Sequence, residues 1–92
     1  MQWKLFANLA EAAGKRRIDI DLSSEATVGD ALAALLERHP DLEAEVLDEE
    51  GDLRDHIQLL RNGRNPFVTA NGLDTDLDAS DELALFPPVS GG

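Results

Sequence analysis

The stretch DELALFPPVSGG, residues 81–92, decides how the rest of this chain is read. An acidic pair, Asp81-Glu82, leads into the apolar run Leu83-Ala84-Leu85-Phe86, which has strand character. Pro87-Pro88 then ends any strand, because proline has no N–H for a ladder and its ring locks φ. Behind it stand Val89-Ser90-Gly91-Gly92, too slight to pack back, with a free carboxylate at the tip. An anchored strand, a stiff exit and a slim flexible end describe a body that offers its own C-terminus. The plain alternative is a frayed end. Two terminal glycines arise by chance in roughly 0.5% of chains at a glycine frequency of about 7%, and their place behind a strand and a Pro-Pro stop strengthens the first reading.

Working outward, the spacing predicts three further strands. Residues 2–8 alternate Trp3, Leu5 and Ala7 with Lys4 and Phe6. Residues 17–22 put Ile18, Ile20 and Leu22 on one face and Asp19 and Asp21 on the other. Residues 56–61 form the third, closed by the turn dipeptide Asn62-Gly63. A short helical turn over residues 9–13 stops at Gly14, so the first two strands pair antiparallel. The main helix opens at Thr27, which with Asp30 makes a variant capping box. Val28, Ala31, Leu32, Leu35 and Leu36 recur at helical spacing, and Pro40 ends the helix by excluding His39 from helical φ/ψ. Residues 41–47 read as a second short turn with Leu42, Val46 and Leu47 inward, followed by an acidic loop over 48–52. Residues 64–80 are less regular, with Phe67, Leu73 and Leu77 as expected anchors and Asn71-Gly72 as a turn. The order predicts an α+β domain over residues 1–88, one main helix covering a small mixed sheet, with residues 89–92 as its tail.

Composition narrows the function classes. Nineteen acidic residues against eight basic ones give a net charge of −11, and two of the bases are lysines, Lys4 and Lys15. Such a polyanion is repelled by phosphate backbones and anionic lipid, which speaks against nucleic-acid and membrane partners. The charge suits a cytosol at molar salt, where the Debye length falls to about 3 Å and self-repulsion is screened, and so a salt-loving archaeal source. There is no cysteine, hence no disulfide framework and no thiol nucleophile. With no charged-then-apolar leader and no membrane-length apolar run, a cytoplasmic monomer is expected.

Residues 3–10 (WKLFANLA), 26–32 (ATVGDAL), 60–63 (LRNG) and above all the closing block 81–92 resemble the MoaD/ThiS group of ubiquitin-like proteins, most closely its small archaeal modifier proteins. The resemblance implies a β-grasp fold, with the first and last strands central and parallel. It also implies that an adenylating enzyme of the ubiquitin-activating type receives the tail, with ATP consumed by that partner and no cofactor bound here. Gly92 would carry the activated acyl group, and Val89, Ser90 and Gly91 would be read as the tail enters. A sheet surface near Phe86 and Pro87, with Phe67, would dock against the enzyme, basic groups of the partner meeting the acidic body. Two outcomes are implied. As a modifier, the chain is joined by isopeptide bonds to lysines of target proteins, with Lys15 and Lys4 as acceptors in any self-linked chain. As a sulfur carrier, it holds a C-terminal thiocarboxylate for molybdopterin synthesis, with the large subunit of molybdopterin synthase as partner, or for tRNA thiolation. The two roles are compatible in one chain; the resemblance to archaeal modifiers, with a surface suited to high salt, tilts the reading toward the modifier, and a plain binding module with an incidental tail is the third reading.

Other constellations carry little chemistry. Asp74-Thr75-Asp76-Leu77-Asp78 imitates a calcium loop, but Ala79 stands where the turn glycine is needed and Leu85 where the bidentate glutamate belongs. His39 and His56 lack ligand spacing, and Ser23, Ser24, Ser80 and Ser90 form no triad. A metal site and a catalytic role of the chain's own are therefore not expected.

Overall fold

In a computed structural model that describes residues 1–22 and 25–87, four strands form one mixed sheet in the order β2-β1-β4-β3. They are β1 (Gln2–Leu5), β2 (Arg17–Asp19), β3 (Gln58–Arg61) and β4 (Glu82–Phe86). β1 and β4 are central and parallel, while β2 and β3 flank them antiparallel. This is the ubiquitin-like β-grasp arrangement.

Alternation along the strands sorts the two faces of the sheet. Trp3, Leu5, Ile18, Leu59, Leu83 and Leu85 point to the core with almost no exposure. Helix α2 (Val28–Arg38) supplies Val28, Ala31, Leu32, Leu35 and Leu36 from the other layer. Trp3 locks the layers together: its ring is fully buried and its indole N–H donates to the Ala31 carbonyl at 3.2 Å. A buried indole whose N–H finds a partner contributes apolar area without a stranded donor.

The helix begins where its cap chemistry says it should. The Asp30 N–H donates to Thr27 Oγ1 at 3.2 Å, and the Thr27 N–H donates to Asp30 Oδ2 at 3.0 Å. It ends at Arg38, with His39 held at φ −130°, outside helical space, ahead of Pro40. A 3-10 turn (Pro40–Leu42) and a short α3 (Glu43–Val46) follow, burying Leu42 and Val46 and leaving Leu47 half-buried. Helix α1 (Asn8–Ala13) stops at Gly14, whose φ of 77° is left-handed.

Three strands are shorter than their alternation predicts, two of them for reasons that lie in their partners. β2 ends at Asp19 because β1 begins at Gln2; the pairing closes with Ile20 N–H to the Met1 carbonyl at 3.1 Å. Asp21 and Leu22 have no strand beside them, although Ile20 remains buried. β3 starts at Gln58, opposite Phe86, because the next residue across is Pro87, which has no N–H to give. β1 likewise stops at Leu5, and Ala7, expected on the inner face, is exposed in the turn before α1. Phe67, expected as an anchor, is 50% exposed on α4 (Pro66–Thr69), where its ring lies over Gly72 instead of entering the core. Leu77 is the anchor of this irregular segment, 5% exposed, and its N–H donates to the Ala26 carbonyl at 2.9 Å.

Candidate functional site

The site is the place where the chain leaves the sheet. β4 is paired along both edges, with β1 as far as Leu85 and with β3 as far as its last residue, Phe86, opposite Gln58. The ladder to β1 closes at Leu5 and Leu85, and proline at 87 stops the ladder to β3 directly after Phe86. The chain is therefore released from the middle of the sheet and not from a frayed edge. Gly92, Gly91, Ser90 and Val89, the residues expected to carry and present the reactive group, lie outside the described residues, as do Pro88, Ser23 and Ser24.

Phe86 lies on the outer face of the sheet and stacks on Phe6, with ring centroids 4.3 Å apart and planes 11° from parallel. Phe6 is 39% exposed and stands with Phe86 beside the exit, a position that sequence reasoning misses. The signal is present in the sequence: Phe6 falls in phase with Lys4 on the polar side of an otherwise ordinary strand, and an aromatic there needs a partner. The backbone that delivers it is unusual. Ala7 has φ 54° and ψ −130°, and the Leu9 N–H donates to the Phe6 carbonyl at 3.1 Å. These are the angles of the first central position of a type II′ turn, where glycine is the usual occupant.

Register places Lys4, Arg17, Ala84 and Leu60 in one row on the same outer face. Lys4 Nζ pairs with Glu82 Oε1 at 3.2 Å, and Lys15 is exposed beyond Gly14. Beside the Phe6 ring runs a groove of about 390 Å³ lined by Lys4, Leu5, Phe6, Ala7, Arg16 and Arg17. Of the residues expected to dock, Phe86 and Pro87 thus stand together at the exit, whereas Phe67 sits on α4 against the 3-10 turn Gly72–Asp74.

At the opposite end of β4, a charged knot fixes where the strand begins. Asp81, 7% exposed, accepts from Arg61 Nε at 3.1 Å, Asn62 Nδ2 at 2.8 Å and the Asp78 N–H at 2.9 Å. Burial pushes its carboxyl up, but the Asp78 N–H, the Asn62 amide and the Arg61 guanidinium together outweigh burial and hold it below its ordinary value of 3.8. Asn62 also takes the Glu82 N–H on its Oδ1 at 2.9 Å, so one side chain stitches the turn to the strand. The turn itself has φ of 51° at Asn62 and 82° at Gly63, a tight two-residue reversal of the type that Asn-Gly favours.

Carboxylates gather at the acidic loop, where Asp48, Glu50 and Asp52 approach within 4.8 Å of one another. Asp48 Oδ1 is occupied by the Glu50 and Asp52 N–H groups at 2.9 and 3.1 Å, which makes it the hub of the loop's own turn. The Asp74–Asp78 segment is bound up in the fold: Thr75 is buried, and Asp76 bridges to Thr27. Among the described residues no helix is long and apolar enough to cross a membrane.

The ThiS family model matches residues 3–92. The chain is 55% identical to small archaeal modifier protein 1 of Haloferax volcanii over 92 residues, covering 100% of both. It is 36% identical over 76 residues to a putative sulfur carrier protein of Archaeoglobus fulgidus, covering 80% of this chain and 84% of that one. A crystal structure of the Haloferax volcanii modifier superimposes with a TM-score of 0.90 at 54% identity, covering 100% of this chain and 98% of that one.

Proposed function

The chain belongs to the ThiS family, and we propose that within it this protein is a ubiquitin-like modifier whose C-terminal Gly92 is adenylated by a ubiquitin-activating-type enzyme and joined to lysines of target proteins. The observation that carries the reading is the full-length similarity to a small archaeal modifier, joined to a central β4 that pairs with β1 and β3 and ends at a proline. The chain is then a substrate of partner enzymes, working in the cytoplasm, and ATP is used by the partner.

The chemistry rests on Gly92. Its carboxylate, with an ordinary pKa of about 3.3–3.7, is ionised at cytosolic pH and is a poor acylating group. Attack of a carboxylate oxygen on the α-phosphorus of ATP expels pyrophosphate and leaves an acyl adenylate. A neutral lysine amine then forms the new C–N bond, AMP leaves with the C–O bond, and the amine loses a proton. Gly91 and Gly92, lacking Cβ atoms, let the tail run through a narrow channel in any φ/ψ the enzyme requires. Val89 and Ser90 are read beside them, residues 89–92 acting as the tail of a domain that spans residues 1–88. Phe86 and Pro87 form the adjoining docking surface, and Lys15 and Lys4 are the lysines on which a second copy could be linked.

The similarity to a putative sulfur carrier favours a second reading. A sulfur donor in place of the amine converts the same adenylate to a thiocarboxylate, which serves molybdopterin synthesis or tRNA thiolation; the large subunit of molybdopterin synthase is then a partner. Removing Gly91 and Gly92, or changing Gly92→Ala, is expected to abolish activation while the circular dichroism spectrum stays native. Normal adenylation of the shortened chain contradicts both readings. Target lysines branched through Gly92 with this chain's C-terminal peptide support the modifier, and a terminal mass in which one sulfur replaces one oxygen supports the carrier.

A further inference from the structure

Four of the eight basic residues of this strongly acidic chain, Lys4, Lys15, Arg16 and Arg17, fall on the first hairpin. Three of them, Lys4, Arg16 and Arg17, line the groove beside Phe6, and no carboxylate is among its lining residues. Lys4 and Arg17 are direct cross-strand partners, a like-charged pair that opposes the sheet's stability slightly. One of the two is neutralised within the chain, Lys4 by Glu82. Arg17 is exposed, and Arg16 next to it is exposed as well. The groove adjoins the Phe6–Phe86 stack, and Phe86 immediately precedes the exit at Pro87.

Net charge alone suggests a basic partner. The surface around the exit has the opposite sign, and any protein that takes the tail must lie against that surface. We infer that the groove formed by Lys4, Arg16 and Arg17 beside the Phe6–Phe86 stack receives an acidic segment of the adenylating enzyme, so that the contact at the exit is cationic on this chain and anionic on its partner. The inference rests on the proposed activation of Gly92. Long-range repulsion between two acidic proteins does not forbid it: at 1 M salt the Debye length is about 3 Å, so contact pairs decide and distant charges do not. Complementary charges placed this way fix orientation and partner choice more than they add raw affinity. The exposed face of the aromatic stack supplies the apolar part of the same surface.

The test is ATP–pyrophosphate exchange by the adenylating enzyme of the same cell in 2 M KCl, with the full chain as substrate. Arg16→Glu/Arg17→Glu is compared with Arg54→Glu/Arg64→Glu, which changes the net charge equally at two exposed positions elsewhere. Circular dichroism establishes that each variant is folded. The hairpin variant is expected to raise KM for the chain roughly tenfold with kcat little changed, and the control variant to leave KM within about twofold of wild type. Equal KM for all three proteins, or an equal rise in both variants, overturns the inference while leaving activation of Gly92 intact. Absence of exchange with the wild-type chain overturns the proposed activation and the inference with it. Concentration-dependent self-association of the wild type in sedimentation, lost in the hairpin variant, assigns the groove to the acidic loop of a second copy and also overturns the inference.

Discussion

Asp81 shows how much a single position can hold. Three donors converge on its carboxylate, and the residue after it opens the strand that carries the tail. Asp81→Asn keeps the shape but turns two acceptor oxygens into one, facing an amide nitrogen either toward the Asn62 donor or toward the Arg61 and Asp78 donors. The variant is expected to lose about 1.5–3 kcal/mol at pH 7, measured by urea denaturation. Because the folded carboxyl titrates below its ordinary value of 3.8, its contribution is fully present above that pH and is lost as pH falls through the folded value. The wild type should therefore lose part of its stability in that acid window, and the variant should lose less there. Ala7 offers a test of opposite sign. Its φ of 54° and ψ of −130° suit glycine, so Ala7→Gly is expected to stabilise the fold by roughly 1 kcal/mol, read as a rise in Tm. A fall in Tm would mean that the methyl group's contacts outweigh the backbone strain.

At the scale of elements, the legible part of the sequence is the part that local chemistry decides. Thr27 with Asp30, Pro40 after His39, and Asn62-Gly63 each announce a boundary through their own hydrogen-bonding groups or ring geometry, and each boundary is found there. Thr27→Ala removes one half of the reciprocal cap and should cost about 1 kcal/mol, measured by chemical denaturation. The ends of β2 and β3 are not legible, because they depend on where β1 begins and where Pro87 interrupts β4, residues far away in the chain. Phe67 misleads for a related reason: an apolar ring reads as core, but α4 sets it against Gly72, where an added Cβ would lie 3.0 Å from the ring. At the site, Phe86 and Pro87 are legible from composition and order. Phe6 shows in the sequence only as an aromatic on the polar side of its strand, and the structure supplies its partner, Phe86. The cations around the groove are each visible as residues, and the expected antiparallel pairing brings their strands together, but the register that sets Arg17 opposite Lys4 is read only from the structure.

Taken whole, the molecule is an acidic body built around a central strand that ends in a proline stop. Its net charge of −11 opposes compaction at low ionic strength. Tm is therefore expected to rise steadily between 0.1 M and 2 M KCl, as the Debye length shrinks from about 10 Å to under about 3 Å. A Tm that is flat or falls over that range would show that self-repulsion is not the effect that salt relieves. The same architecture explains why the chain needs no catalytic apparatus for the proposed function: the fold's task is to hold β4 while another protein acts on the C-terminal glycine. The most direct measurement is mass spectrometry of this protein recovered from its native cytosol, resolving every form of its last residue. The account predicts Gly92 in amide linkage to target lysines, with or without a thiocarboxylate fraction; a population that is free carboxylate throughout, with ATP abundant and the adenylating enzyme present, would contradict it.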